Sequence, residues 1–138
     1  MTQNSVRNDS QFGEKPAHLS ILIVDDEPLI RWSLREAFRV RGHKVATAGT
    51  GAEALATVNA APEGFDVVIL DYRLPDRQDL SLLDDVQRVS PKSLVLMMTA
   101  FADDDMRTRA FDRGVRAVVD KPFQVKSFVS LVESAVAS

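Results

Sequence analysis

At 138 residues, with 45% hydrophobic and 27% charged residues, the chain has the length and balance of one globular domain. A formal net charge of −3 argues against a dedicated nucleic-acid or anionic-membrane surface, and the absence of cysteine excludes disulfides, thiolate metal sites and cysteine nucleophiles. No apolar run approaches the roughly 20 residues that span a bilayer. The N-terminus lacks a basic-then-apolar signal pattern, so a cytoplasmic location is expected.

Residues 1–18 are polar and almost free of large apolar side chains, which predicts a disordered leader ahead of a domain over 19–138. Leu19–Val24 is a continuous apolar run, as for a strand buried on both faces. Pro28 suits the first turn of a helix, and Ile30, Leu34, Ala37 and Phe38 follow at i, i+4, i+7, i+8, with Gly42 as its C-cap. Lys44–Ala48 is a weaker strand. Thr50 and Glu53 form a capping box that opens a helix through about Ala60.

Phe65–Leu70 reads as the third strand and Gln78–Val89 as a helix with Leu82, Leu83 and Val86 inward. Ser93–Met98 is the fourth strand. Asp103–Arg113 is a helix with three acids in its first turn, favourable for the macrodipole, and Gly114 ends it. Arg116–Asp120 is the fifth strand and Val125–Ala137 the last helix. Trp32 and Phe111 fall off the apolar stripes of their helices and should be surface aromatics. His18 and His43 lack metal-like spacing and are expected to face solvent.

Five alternating strand–helix units predict an α/β fold: a single doubly wound (βα)5 domain, with a five-stranded parallel sheet and helices on both faces. Chemistry in such sheets lies beyond the carboxyl ends of the strands. Those ends carry Asp25 and Asp26, Asp71, Thr99 and Lys121. Three carboxylates repel one another unless a cation, a lysine or a proton is present, so their convergence suggests a chemical site. Mg²⁺ suits such carboxylates together with waters and a phosphate. A carboxylate can also be the nucleophile toward phosphorus, with lysine and hydroxyl neutralising the phosphoryl oxygens.

The motifs Ile23-Val24-Asp25-Asp26-Glu27-Pro28, Leu70-Asp71-Tyr72-Arg73-Leu74-Pro75, Met98-Thr99-Ala100 and Lys121-Pro122-Phe123 stand in order at these strand ends. From about Leu19 to Ala137 the chain resembles a receiver domain of a two-component response regulator, a flavodoxin-like fold. The resemblance implies that Asp71 is the phosphoacceptor and that the donor is a sensor histidine kinase or phosphotransfer protein. It implies Mg²⁺ held by Asp25, Asp26, Asp71 and the backbone carbonyl of Arg73, with Asp26 the more direct ligand and Asp25 acting partly through water. Lys121 would bridge to the phosphoryl group, and Thr99 would move to hydrogen-bond it. It also implies a signalling protein whose only catalysis is its own phosphorylation and dephosphorylation. The face of the fourth helix, fifth strand and fifth helix would serve as the output or homodimer surface. The loop motif with Lys-Pro-Phe resembles receivers attached to transcription activators. Arg73 and Phe101 would flank the path of hydrolytic water and tune the phosphoryl lifetime.

Two positions depart from the family pattern. Val118 stands where an aromatic switch residue is usual, so the relay from Thr99 to a swinging ring is in doubt, and backbone movement in the loops after strands three and four is the expected substitute. Asp76-Arg77-Gln78-Asp79 replaces a glycine-containing loop, which makes positive φ harder there and suggests a different or more mobile segment. A pseudo-receiver that signals without phosphate is the alternative reading. A metal-dependent phosphohydrolase of the haloacid-dehalogenase type would need a second acid where Arg73 stands.

Overall fold

The computed structural model describes residues 18–100 and 103–138. Residues 1–17 of the leader expected over residues 1–18, and Phe101, lie outside the described residues. Ten elements alternate strictly: β1 Ser20–Val24, α1 Pro28–Arg39, β2 Lys44–Ala48, α2 Gly51–Asn59, β3 Val67–Asp71, α3 Ser81–Val89, β4 Leu94–Thr99, α4 Asp104–Asp112, β5 Ala117–Asp120 and α5 Val125–Ala137. The five strands form one parallel sheet in the order β2-β1-β3-β4-β5. This is the doubly wound architecture expected from the alternation.

Alternate strand residues point to opposite faces, and the core divides accordingly. Leu22, Val24, Val68, Leu70, Val95 and Met97 pack under α2, α3 and α4, against Ala54, Val58, Leu83, Val86, Met106 and Ala110. Ile21, Ile23, Val67, Ile69, Leu96 and Met98 face α1 and α5, against Leu34, Phe38, Phe128, Val129 and Val132. Each fully buried side chain of this size contributes roughly 1.5–3 kcal/mol by leaving water. The period-two pattern thus sets the register: a slip of one residue would exchange the two cores.

β2 and α5 fall where expected, and boundaries of other elements shift by one to three residues. β3 and β4 each run one residue further, to Asp71 and Thr99, so both site residues sit on the strand ends themselves. α3 begins at Ser81, because the Asp79 carboxylate accepts from Ser81 N at 2.9 Å and Ser81 Oγ at 2.6 Å. That local turn competes with helix over residues 78–80. Thr50 Oγ1 caps Glu53 N at 3.0 Å, but Glu53 reaches back to Gly49 N at 2.8 Å, one residue before the expected partner. Gly42 and Gly114 hold φ of 93° and 91°, where a Cβ would be strained. Trp32 and Phe111 are exposed, as expected.

His43 is buried, contrary to expectation. Its ring packs edge-on against Phe38, Nδ1 accepts from Leu19 N at 3.0 Å, and Nε2 lies 2.8 Å from Glu133 Oε2. That pairing assigns the ring proton to Nε2. Arg41 closes the group with two 2.7 Å bonds to the same carboxylate. A polar residue with all its partners supplied by distant elements can be buried at low cost. His18 is exposed.

Candidate phosphoryl-transfer site

In this strand order β1 connects outward to β2 on one side, while β3, β4 and β5 follow on the other. The crevice where the order reverses therefore opens between the carboxyl ends of β1 and β3. Asp25 and Asp26 leave β1 there, and Asp71 ends β3. Asp71 is in register with Met98, and Thr99 with Asp120, so β4 and β5 deliver the hydroxyl and the lysine to the same rim. Lys121 N donates to Thr99 O at 2.8 Å, which joins the two loops directly.

The carboxylates do converge. Asp25, Asp26 and Asp71 each offer an oxygen within 4.8 Å of the others. Asp25 and Asp71 are buried, whereas Asp26 is exposed. Lys121 Nζ sits among them, 2.7 Å from Asp25 Oδ2, 3.1 Å from Asp71 Oδ2 and 3.0 Å from Glu27 Oε1. Asp25 Oδ1 accepts from Glu27 N at 2.8 Å, and Asp71 Oδ1 from Arg73 N at 3.3 Å. Thr99 is buried at the end of β4.

Burial raises the Asp71 carboxyl to about 6, with the charge of Asp25 adding to the effect and Lys121 opposing it. Burial likewise pushes Asp25 up, against its contacts with Lys121 and Glu27 N. For Lys121 burial works against the charge, but its bonds to Asp25, Glu27 and Asp71 outweigh it and hold the ammonium firmly protonated. One ammonium shared by three carboxylates leaves excess negative charge even before Asp26 is counted.

That excess is the test of whether a dication fits. Asp25 Oδ2 is fully buried and, apart from its ionic contact with Lys121, has no aligned hydrogen bond. A buried oxygen in that condition, beside two further carboxylates, suits a hard cation with oxygen ligands.

Three contacts around the site were not singled out from sequence. Glu27 is the third partner of Lys121, and its place directly after Asp25-Asp26 was the available signal. Arg31 Nη1 donates to the Asp25 carbonyl at 2.7 Å, bracing the first acidic loop from α1. Asp76 accepts from Gly51 N and Ala52 N at 2.8 and 2.9 Å, fastening the β3–α3 loop to α2. That loop, expected to be altered for want of glycine, has no residue at positive φ and closes through Leu74 N to Arg77 O at 2.8 Å.

Known proteins resemble the chain in both sequence and fold. The transcriptional regulatory protein KdpE of Mycobacterium tuberculosis is 39% identical over 116 residues, covering 84% of this chain and 50% of KdpE. The DNA-binding transcriptional regulator NtrC of Escherichia coli is 34% identical over 116 residues, covering 84% of this chain and 24% of NtrC. The chain thus spans about half the length of the one relative and a quarter of the other. Among solved structures, the non-phosphorylated HemR receiver domain from Leptospira biflexa superposes with a TM-score of 0.80 at 30% identity, over 87% of this chain and 95% of that one. The model of the response regulator receiver domain matches residues 21–133, from the first strand through most of the last helix. With its acidic crevice between β1 and β3 and its lysine on the loop after β5, the chain belongs to the response regulator receiver domain family.

Proposed function

We propose that the chain accepts a phosphoryl group on Asp71 from a sensor histidine kinase or phosphotransfer protein, in a Mg²⁺-dependent step. The observation that carries this reading is the convergence of Asp25, Asp26 and Asp71, with the Lys121 ammonium bound to Asp25 and Asp71. A carboxylate oxygen of Asp71 attacks phosphorus as the bond from phosphorus to the donor's nitrogen breaks, and the donor keeps that electron pair. Asp25, Asp26, Asp71 and the Arg73 carbonyl would hold Mg²⁺, which supplies charge neutralisation for the phosphoryl oxygens. Lys121 stays protonated and shifts its contacts from carboxylate to the incoming phosphoryl group. Thr99, on the adjacent loop, donates its hydroxyl to the same group.

Lys121 N and Thr99 O are hydrogen-bonded across the β4 and β5 ends, so rearrangement at the phosphoryl group passes directly into β5 and its flanking helices. The surface of α4, β5 and α5 is the proposed output and homodimer face. Val118 carries no ring there, so the switch runs through the backbone of the loops after β3 and β4. No helix among the described residues is long and apolar enough to cross a membrane, which accords with a site of action in the cytoplasm.

The reading is tested by incubating the protein with Mg²⁺ and acetyl phosphate and measuring its intact mass. One phosphoryl adduct on the wild type, absent from Asp71→Asn, is expected. No adduct on the wild type, or an adduct retained by Asp71→Asn, overturns the assignment.

A further inference from the structure

The segment Arg73 to Arg77 contains no glycine, yet it makes the tight turn that follows the proposed phosphoacceptor. Its hold on the rest of the molecule comes from side chains. Leu74 is buried in the core beneath it, and Leu74 and Arg77 pair with each other through N–H···O bonds of 2.8 and 3.3 Å. Arg77 Nη1 donates to Ser81 Oγ and Asp85 Oδ2, both at 3.0 Å, which ties the turn to α3. The Asp76 carboxylate takes both of its bonds from the first two N–H groups of α2, Gly51 at 2.8 Å and Ala52 at 2.9 Å.

The contact with α2 is closely fitted. A Cβ at position 51 would lie 2.8 Å from Arg77 Cγ and 3.3 Å from Asp76 Oδ1, so glycine there permits the loop to lie against the helix start. The N–H groups at a helix start have no intrahelical partners and carry partial positive charge, which favours a carboxylate. The backbone bonds from Gly51 and Ala52 accordingly lower the Asp76 carboxyl below its ordinary range. Asp76 is therefore an anion bound at the N-terminal end of α2, three residues beyond Arg73.

We propose that Asp76 is a positioning residue for the cation site: its two bonds to α2 set the path of the loop that carries the Arg73 carbonyl. Asp76 contacts neither the cation nor the phosphoryl group. The chain between Asp71 and Asp76 is anchored at one end by Tyr72 N to Met98 O at 2.9 Å and at the other by this carboxylate. Loss of these two bonds loosens the path of the Arg73 carbonyl, while Leu74 and Arg77 still hold the turn to the core and to α3 and the three carboxylates stay in place. The proposal rests on the Mg²⁺-site reading above.

The test is a Mg²⁺ titration by calorimetry on the wild type, Asp76→Ala and Asp76→Asn, with thermal melting of each protein in the absence of Mg²⁺. Outer partners of metal ligands change affinity by about 10–100-fold when removed. The expected result is a Kd for Asp76→Ala raised about tenfold, with Asp76→Asn, which keeps one acceptor oxygen, between it and the wild type. General loss of stability lowers Tm but leaves the Kd of the folded protein unmoved, so the two effects separate. A rise of less than about threefold in Asp76→Ala overturns the positioning role. If that variant does not fold, a Kd for Asp76→Asn equal to the wild-type value overturns it instead. A wild type that binds no Mg²⁺ overturns the metal-site reading and the proposal with it.

Discussion

Lys121 Nζ stands closer to Asp25 than to Asp71, at 2.7 against 3.1 Å. The ammonium is thus held chiefly by the more deeply buried acid, and its bond to the proposed nucleophile is the longer of the two. Removing it leaves two buried carboxylates facing each other. Lys121→Ala should lower stability without divalent cation by about 2–4 kcal/mol. Mg²⁺ should then restore more stability to the variant than it adds to the wild type, because it meets a larger uncompensated charge. Urea melts with and without Mg²⁺ at about pH 8 measure both effects. A smaller Mg²⁺ increment in the variant would contradict this electrostatic account.

The raised carboxyl of Asp71 predicts a pH dependence with a definite sign. Its folded value of about 6 lies above the ordinary 3.8, so between those values the folded state binds the extra proton. Stability without cation should therefore fall as pH rises from about 4 to 6 and level off above, by on the order of 2–3 kcal/mol for this group. Asp71→Asn removes the component, and the difference between the two proteins isolates it from other carboxyls. Mg²⁺ beside the carboxylate favours its charged form and should move this interval to lower pH. Identical pH–stability curves for wild type and Asp71→Asn would count against the shift.

At the opposite side of the domain, Glu133 carries the reverse dependence. Burial pushes its carboxyl up, but the bonds from Arg41 and His43 prevail and bring it below the ordinary 4.5. Its contribution is present above that value and is lost as pH falls through the lowered one. Glu133→Gln keeps the shape but not the charge. It should cost about 2–3 kcal/mol near neutral pH, and less in acid, read by denaturant melts at both.

Val118 is half-buried and packs against the core cluster that includes Met106 and Ala110. Val118→Tyr should lose about 1–3 kcal/mol through overpacking. With the switch carried by backbone, beryllofluoride should produce the same pattern of amide shifts in the variant as in the wild type. A large change in that pattern would show that position 118 takes part in the relay.

The rim of the site was legible because topology did the work. Once five apolar runs alternate with helical periodicity, parallel strands bring their carboxyl ends to one edge, and Asp25, Asp71, Thr99 and Lys121 can be placed without any knowledge of side-chain contacts. His43 was misjudged for the opposite reason. Its acceptor lies 90 residues away on α5, and neither spacing nor local composition signals a pairing of that range. Asp76 is similar, reaching residues 24 and 25 positions earlier in the chain. The start of α3 was misplaced because Asp79 and Ser81 form a turn that hydrophobic periodicity cannot register.

Among the described residues, the strand order leaves β2 and β5 with open sides, and open sides invite further strands from neighbouring molecules. Both are poor templates. β5 has only four residues, its exposed Asp120 is charged, and Arg107 from α4 pairs with that carboxylate and reaches the Val118 carbonyl at 3.4 Å. β2 has five residues and begins at an exposed Lys44. A crowded solution of this protein is thereby guarded against cross-β growth.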